Sequence, residues 1–176
     1  MNDCKTFLVG GASEKKTLTY ALAPDHFSGE DKELFRESEA AYENAGFSLK
    51  PSKRPDVVVH LSTDRQLKEM YPQLKQYSSK LSLTDRGVDP MRIYLHLENW
   101  LTIPHGQGSE YTSLRDYRLA LINHEFVHAF GHDHVSCPCK GCPSDVRQQP
   151  SRHLGGCLPT TKIVFHKKAK HSSVNF

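Results

Sequence analysis

The chain has 176 residues, of which 37% are hydrophobic and 24% charged, and its formal net charge is +3. That length and balance fit one folded domain with a real core and exclude a disordered chain. No apolar run reaches the roughly 20 residues of a membrane-spanning helix, and the charge is too small to argue for nucleic acid, so neither partner is expected.

Residues 1–15 are polar and glycine-bearing and read as a loose arm. Residues 1–10 lack the charged-then-apolar build of a signal peptide, since Phe7, Leu8 and Val9 are too few for its apolar part. A cytoplasmic protein is expected unless the chain is a mature or trimmed form. Residues 17–23 alternate in the manner of a strand. Residues 24–29 form a loop. Residues 31–44 carry Leu34, Phe35, Ala41 and Tyr42 among charges, which predicts an amphipathic helix, and Gly46 stands where a C-cap glycine belongs. Residues 47–50 read as a short strand that Pro55 limits. Residues 56–61, Asp-Val-Val-Val-His-Leu, form the clearest strand, expected to be buried on both faces. Thr63 or Asp64 caps a short helix through Met70, and residues 72–89 are polar and turn-rich. Residues 92–97 alternate cleanly as another strand. Asn99, Trp100 and Leu101 follow, then a loop through Pro104, Gly106 and Gly108.

Thr112 or Ser113 starts the longest helix, with Ser113 and Asp116 as an acidic variant of the capping box. Leu114, Tyr117, Leu121, His124 and His128 share one stripe, and Leu119, Ile122, Phe126 and Phe130 another. A helix apolar on two sides is buried between layers. The end of this helix reads His124-Glu125-Phe126-Val127-His128-Ala129-Phe130-Gly131-His132-Asp133-His134, or H-E-x-x-H-x-x-G-x-x-H. Residues four apart lie on one helix face, so His124 and His128 can aim two imidazoles at one point. Gly131 ends the helix, because without a Cβ it takes the left-handed conformation of a C′ residue. The chain can then turn back and offer His134 as a third ligand. Three histidines with an open position suit a catalytic zinc, and Glu125, one residue along, is the candidate general base.

The motif resembles the extended zinc signature of the metzincin metallopeptidases. Tyr117-Arg118, Asn123-His124-Glu125, Gly131, His134 and Cys137, with His96-Leu97-Glu98-Asn99-Trp100 upstream, are similar to a family of uncharacterised, mostly exported bacterial proteins with a metzincin-like motif. The resemblance implies an α+β metzincin-like domain. Its parts would be the arm 1–15, an N-terminal subdomain 16–131, a Cys-rich C-terminal subdomain 132–165 and a basic, mobile tail 166–176. It also implies a zinc-dependent metalloendopeptidase that hydrolyses peptide bonds with a zinc-activated water, a peptide or protein being the substrate. The alternative is a non-catalytic zinc-binding scaffold or interaction module that keeps the ligands. Two departures favour that alternative. Val146, in Ser144-Asp145-Val146-Arg147-Gln148-Gln149, stands where the resemblance has the methionine of a turn below the zinc, and Val127 stands where related chains have a small residue. Residues 92–97 are expected to form the cleft edge, on which a substrate pairs as an extra strand.

The segment after His134 is rich in Cys, Pro and Gly. Cys137, Cys139, Cys142 and Cys157 have the make-up of a four-thiolate structural zinc site or of disulfides, with unpaired thiols as a third option, and Cys4 stands apart. Residues 161–165 are expected as a last strand. His96, His105, His132 and His153 are candidates to approach the site, although a lone histidine is more often a surface or core residue. Asp133 and Asn123 are candidates to orient the ligand imidazoles, with an exposed loop position the rival reading for Asp133.

Overall fold

The computed structural model describes Leu8, Val9 and residues 14–172; the rest of the expected N-terminal arm, Cys4 included, and the last four residues lie outside the described residues. The architecture is α+β. Six strands, β1 (Leu8–Val9), β2 (Thr17–Leu22), β3 (Ser48–Pro51), β4 (Val57–Ser62), β5 (Leu83–Asp85) and β6 (Met91–His96), form one sheet in the order β1-β5-β6-β4-β2-β3. The helices are α1 (Gly29–Asn44), α2 (Asp64–Met70), α3 (Leu97–Leu101) and α4 (Leu114–Ala129). Parallel pairing runs from β3 through β2 and β4 to β6, and β5 lies antiparallel on β6.

The parallel strands need crossovers, and α1 is the first of them. Ser28 caps α1 by accepting from the Asp31 amide at 3.1 Å, while the Asp31 carboxylate accepts from the Ser28 amide at 3.2 Å. Beyond the C-cap Ala45, Gly46 has φ 88°, as the sequence suggests. Thr63 caps α2 in the same reciprocal way with Gln66. Ser113 caps α4 by accepting from the Asp116 amide at 3.2 Å.

Alternation decides which strand face is covered. Leu18 and Tyr20 on β2, Val57 and Val59 on β4, and Ile93 and Leu95 on β6 enter one core with Leu34, Phe35 and Tyr42 of α1 and with Phe126 and Phe130 near the end of α4. On the other face, a smaller cluster of Leu67, Leu74, Leu81 and Leu83 covers only the β5–β6 end, with Tyr94 packed against it. The strand β4 is therefore not buried on both faces, because Val58 and His60 are only half-buried.

The burial of α4 on all sides matches its two apolar stripes: every residue from Leu119 to Phe130 is buried. On one side Asn123 ties it to α1, where the Ser38 hydroxyl donates to Asn123 Oδ1 at 2.6 Å and the Tyr42 hydroxyl donates to the Asn123 carbonyl. Toward the C-terminal segment, Asn123 Nδ2 donates to the Thr161 carbonyl at 2.9 Å.

Five further expectations need correction. The turn-rich stretch 72–89 contains β5, a strand of three buried residues. The strand β6 is not the sheet edge, because β5 covers it and β1 in turn pairs in parallel with β5. Leu8 and Val9 are thus part of the sheet rather than of a loose arm. Residues 161–165 are not a strand; Ile163 and Phe165 pack on the core, Phe165 stacking on Phe47 at 5.6 Å. Nor is the start of the tail mobile: the Ser136 amide donates to the Lys170 carbonyl at 2.9 Å, and the Ser172 amide to that of His134 at 3.1 Å.

Removing Asn123 leaves the buried Ser38 hydroxyl and the partly buried Thr161 carbonyl without this partner. Asn123→Ala is expected to cost about 2–4 kcal/mol in urea unfolding. A loss below about 0.5 kcal/mol would show that the bridge holds nothing together.

Candidate metal centre

Local geometry gathers the three histidines. His124 and His128 stand one turn apart on α4, and their Nε2 atoms are 3.1 Å apart. Gly131 takes φ 104°. Its amide donates to the His128 carbonyl at 2.9 Å, and the His132 amide donates to the Val127 carbonyl at 3.1 Å, the paired bonds of a Schellman ending. The chain reverses there, and His134 Nε2 comes within 3.2 Å of His124 Nε2 and 3.0 Å of His128 Nε2.

Backbone carbonyls fix the tautomers. His124 Nδ1 donates to the Val146 carbonyl at 2.9 Å, and His128 Nδ1 to that of His132 at 2.7 Å. A carbonyl only accepts, so Nδ1 carries the proton and Nε2 presents a lone pair. Burial pushes His124 down to about 4. Burial and the neighbouring imidazoles hold His128 and His134 well below the usual histidine range. At neutral pH three uncharged rings therefore aim their nitrogens at one another. The lone pairs that His124 and His128 present there suit a cation at the centre. Nitrogens held tetrahedrally at 2.0–2.1 Å from one ion stand about 3.3–3.4 Å apart, close to the spacings seen. The buried group His124, His128 and His134 can hold a metal ion.

Glu125 is buried beside this group. The Thr84 hydroxyl on β5 stands 3.3 Å from both Glu125 Oε1 and the Glu125 carbonyl, so it can donate to either. Burial raises the Glu125 carboxyl to about 8; a nearby dication acts in the opposite direction. The imidazoles and Glu125 line a cleft of ≈ 370 Å³ together with Thr84, Leu121 and Gln149. The Gln149 amide nitrogen is 3.3 Å from His134 Nε2.

Three devices hold the three histidines in place. The turn at 145–148 lies under His124, closed by the Gln148 amide donating to the Asp145 carbonyl at 2.9 Å. The fully buried Asp145 carboxylate receives Arg147 in bidentate fashion at 2.8 Å and also accepts from the His166 amide at 2.7 Å. Val146, buried at 7% exposure, thus anchors His124 through its main chain, which valine supplies as well as methionine. The third device is Arg86, just past β5, whose guanidinium donates to the His128 carbonyl at 3.3 Å and to Asp133 at 3.0 Å. A cation at that carbonyl also complements the negative end of α4.

Other expected residues stand elsewhere. Asp133 pairs with Arg86, and Asn123 bridges α1 to the C-terminal segment, so neither orients an imidazole. His96 is buried against Asp64 at 3.0 Å, and His105 bonds the Ser109 carbonyl at 3.1 Å. His132 lends its carbonyl to His128 while its ring lies 5.1 Å from Phe165. The four cysteines pair as disulfides, Cys137 with Cys157 and Cys139 with Cys142, the disulfide alternative of those expected. Cys137–Cys157 spans 20 residues around the turn at 145–148, and a loop of that size contributes about 3 kcal/mol in the chain-entropy account. Thr84, Arg86 and Gln149 were not read as site residues; only the H-E-x-x-H motif implies that something must touch Glu125.

Two outcomes follow. Metal analysis should find one divalent ion per chain, lost in His128→Ala, whereas Arg86→Met should stay folded and bind the ion about 10–100-fold more weakly. Metal retained by His128→Ala would remove the ligand assignment. In denaturant without reductant, alkylation should reach at most one of the five cysteines, and all five after reduction. Five reactive thiols before reduction would contradict the pairing.

Among the described residues no helix is long and apolar enough to cross a membrane. No curated protein and no solved structure matches the chain. A family model does match, over residues 21–155, a span that contains His124, Glu125, His128 and His134. The chain belongs to that family, which is described as "Protein of unknown function (DUF3152)".

Proposed function

We propose that this protein is a zinc-dependent, metzincin-like endopeptidase that works in an oxidising compartment. The observation that carries the reading is a group of three Nε2 atoms within 3.0–3.2 Å of one another, set beside a buried carboxylate in an open cleft. An all-imidazole donor set suits zinc better than magnesium or calcium, which take oxygen ligands. His124, His128 and His134 would hold the ion. When bound, zinc supplies Lewis-acid polarisation of a carbonyl and acidifies water.

The chain's own groups do the rest. Glu125 is not needed to bind the metal, yet it is buried at the cleft and held by Thr84, which suits a base that takes a proton from water and returns it to the leaving amine. The turn at 145–148 lies where the resemblance has its methionine turn, and its main-chain bond to His124 supports the likeness without the methionine. Leu8 and Val9 pair with β5 at Thr84 and Asp85, beside Glu125, so this edge accepts an extended segment. A peptide substrate bound as a strand there would replace β1. The two disulfides favour an oxidising compartment over the cytoplasm.

Glu125→Gln tests the reading. It keeps shape and hydrogen bonding but accepts no proton at neutral pH. The variant should retain wild-type zinc and cleave a peptide library about 10²–10⁴-fold more slowly. Equal cleavage by both proteins would assign the chemistry elsewhere, and a zinc-loaded wild type that cleaves nothing would leave the non-catalytic scaffold.

A further inference from the structure

Two disulfides stand side by side in the segment after His134, and their settings differ. Cys137–Cys157 is enclosed. Cys157 is 1% exposed and belongs to the core, with Cys137 packed against it. The Cys139 carbonyl lies 3.1 Å from Cys137 Sγ and 3.5 Å from Cys157 Sγ, and a Cβ added at Gly155 would come within 3.3 Å of Cys137 Cβ. Cys139–Cys142 faces outward, with Cys139 exposed and Cys142 half-buried. Its sequence, Cys139-Lys140-Gly141-Cys142, is a Cys-x-x-Cys pair with a cation inside it, and both features favour the reactive thiolate.

The outward bond is also the one the fold needs less. It joins residues 3 apart, whereas Cys137–Cys157 joins residues 20 apart, and closing a shorter loop removes less chain entropy. Main-chain bonds already hold the backbone of this pair. Gly141 takes φ 81°, the sign that the third residue of a type II turn requires, and the Cys142 amide donates to the Cys139 carbonyl at 3.4 Å across that turn. The Gly141 amide donates to the Gly156 carbonyl at 2.8 Å, the Leu158 amide to the Cys142 carbonyl at 2.7 Å and the Ser144 amide to the Leu158 carbonyl at 2.8 Å. With its S–S bond open, the turn therefore still keeps the two sulfurs within reach of each other, and the bond can re-form.

We propose that Cys139–Cys142 is a thiol–disulfide exchange site, at which Cys139 receives a partner thiol while Cys137–Cys157 stays closed. Attack falls on Cys139 because it is the accessible sulfur. The incoming thiolate bonds to Cys139 Sγ, the S–S bond breaks, and Cys142 leaves as a thiolate that takes up a proton. A second thiolate attacks the partner's sulfur in this mixed disulfide and releases Cys139. Two partner thiols are thus oxidised to one disulfide, and one protein disulfide is reduced to two thiols. The site does not depend on the peptidase reading. Its opening leaves the support of His124 in place, since the turn at 145–148 is held by Asp145, Arg147 and the enclosed disulfide.

The test uses the native, metal-loaded full chain carrying Cys4→Ser, which removes the fifth thiol. Glutathione is added in excess for increasing times, free thiols are trapped by alkylation, and the labelled cysteines are mapped by mass spectrometry. Cys139 and Cys142 should be released about tenfold or more faster than Cys137 and Cys157, with glutathione found on Cys139 at early times. Release of all four together, release of the enclosed pair first, or no release at all overturns the proposal. Two single variants then assign the entry point. With glutathione disulfide, Cys142→Ser should form a mixed disulfide at Cys139 about tenfold faster than Cys139→Ser forms one at Cys142. Equal or reversed rates contradict the role given to Cys139. The double variant Cys139→Ser/Cys142→Ser should fold, hold as much metal as its parent and lose the fast-reacting pair. Loss of the fold or of the metal in that variant would make the bond a structural one and overturn the exchange site.

Discussion

Three uncharged imidazoles that face one another across about 3 Å are the constraint on which this structure depends. Each ring could relieve the repulsion by rotating its Nδ1 inward. For His124 and His128 that rotation would break a bond to a main-chain carbonyl in a buried setting, at a cost of about 1–3 kcal/mol each. Burial also denies the rings the alternative of taking up protons. The fold thus holds His124 and His128 in the orientation that presents a lone pair to a cation.

Much of the chain beyond α4 serves that arrangement. The Schellman ending at Gly131 returns His134 toward the helix. Asp145 is buried with Arg147, and breaking such a pair by removing one partner is more damaging than never having built it. The pair fixes the turn whose Val146 carbonyl orients His124. Cys137–Cys157 closes the loop around that turn, and Ser136, Ser172 and their partners fasten the end of the described chain back over it. This region has few apolar residues of its own, so covalent links and buried hydrogen bonds take the place of a core.

What could be read from the sequence was local. The histidine triad follows from a four-residue helical spacing and a glycine turn, both short-range rules, and so do the caps at Thr63 and Ser113. What could not be read depends on pairing across the chain. The strand β5 has three residues and no room for a periodic pattern. Its contact with Glu125 joins positions 41 residues apart. The edge role assigned to residues 92–97 failed because strand order is a property of the whole sheet. The pairing of the cysteines was open for the same reason, since spacing alone permits several connectivities. Val146 looked like a lost methionine because a sequence displays side chains, whereas its bond to His124 is made by the main chain.

Zinc-edge X-ray absorption of the purified protein tests the account most directly, because it reads the ligand atoms rather than their number alone. The structure predicts a first shell of light atoms at about 2.0–2.1 Å with imidazole multiple scattering from three rings, and no sulfur. A shell dominated by sulfur at about 2.3 Å would place the metal on the cysteines and contradict both the disulfides and the triad.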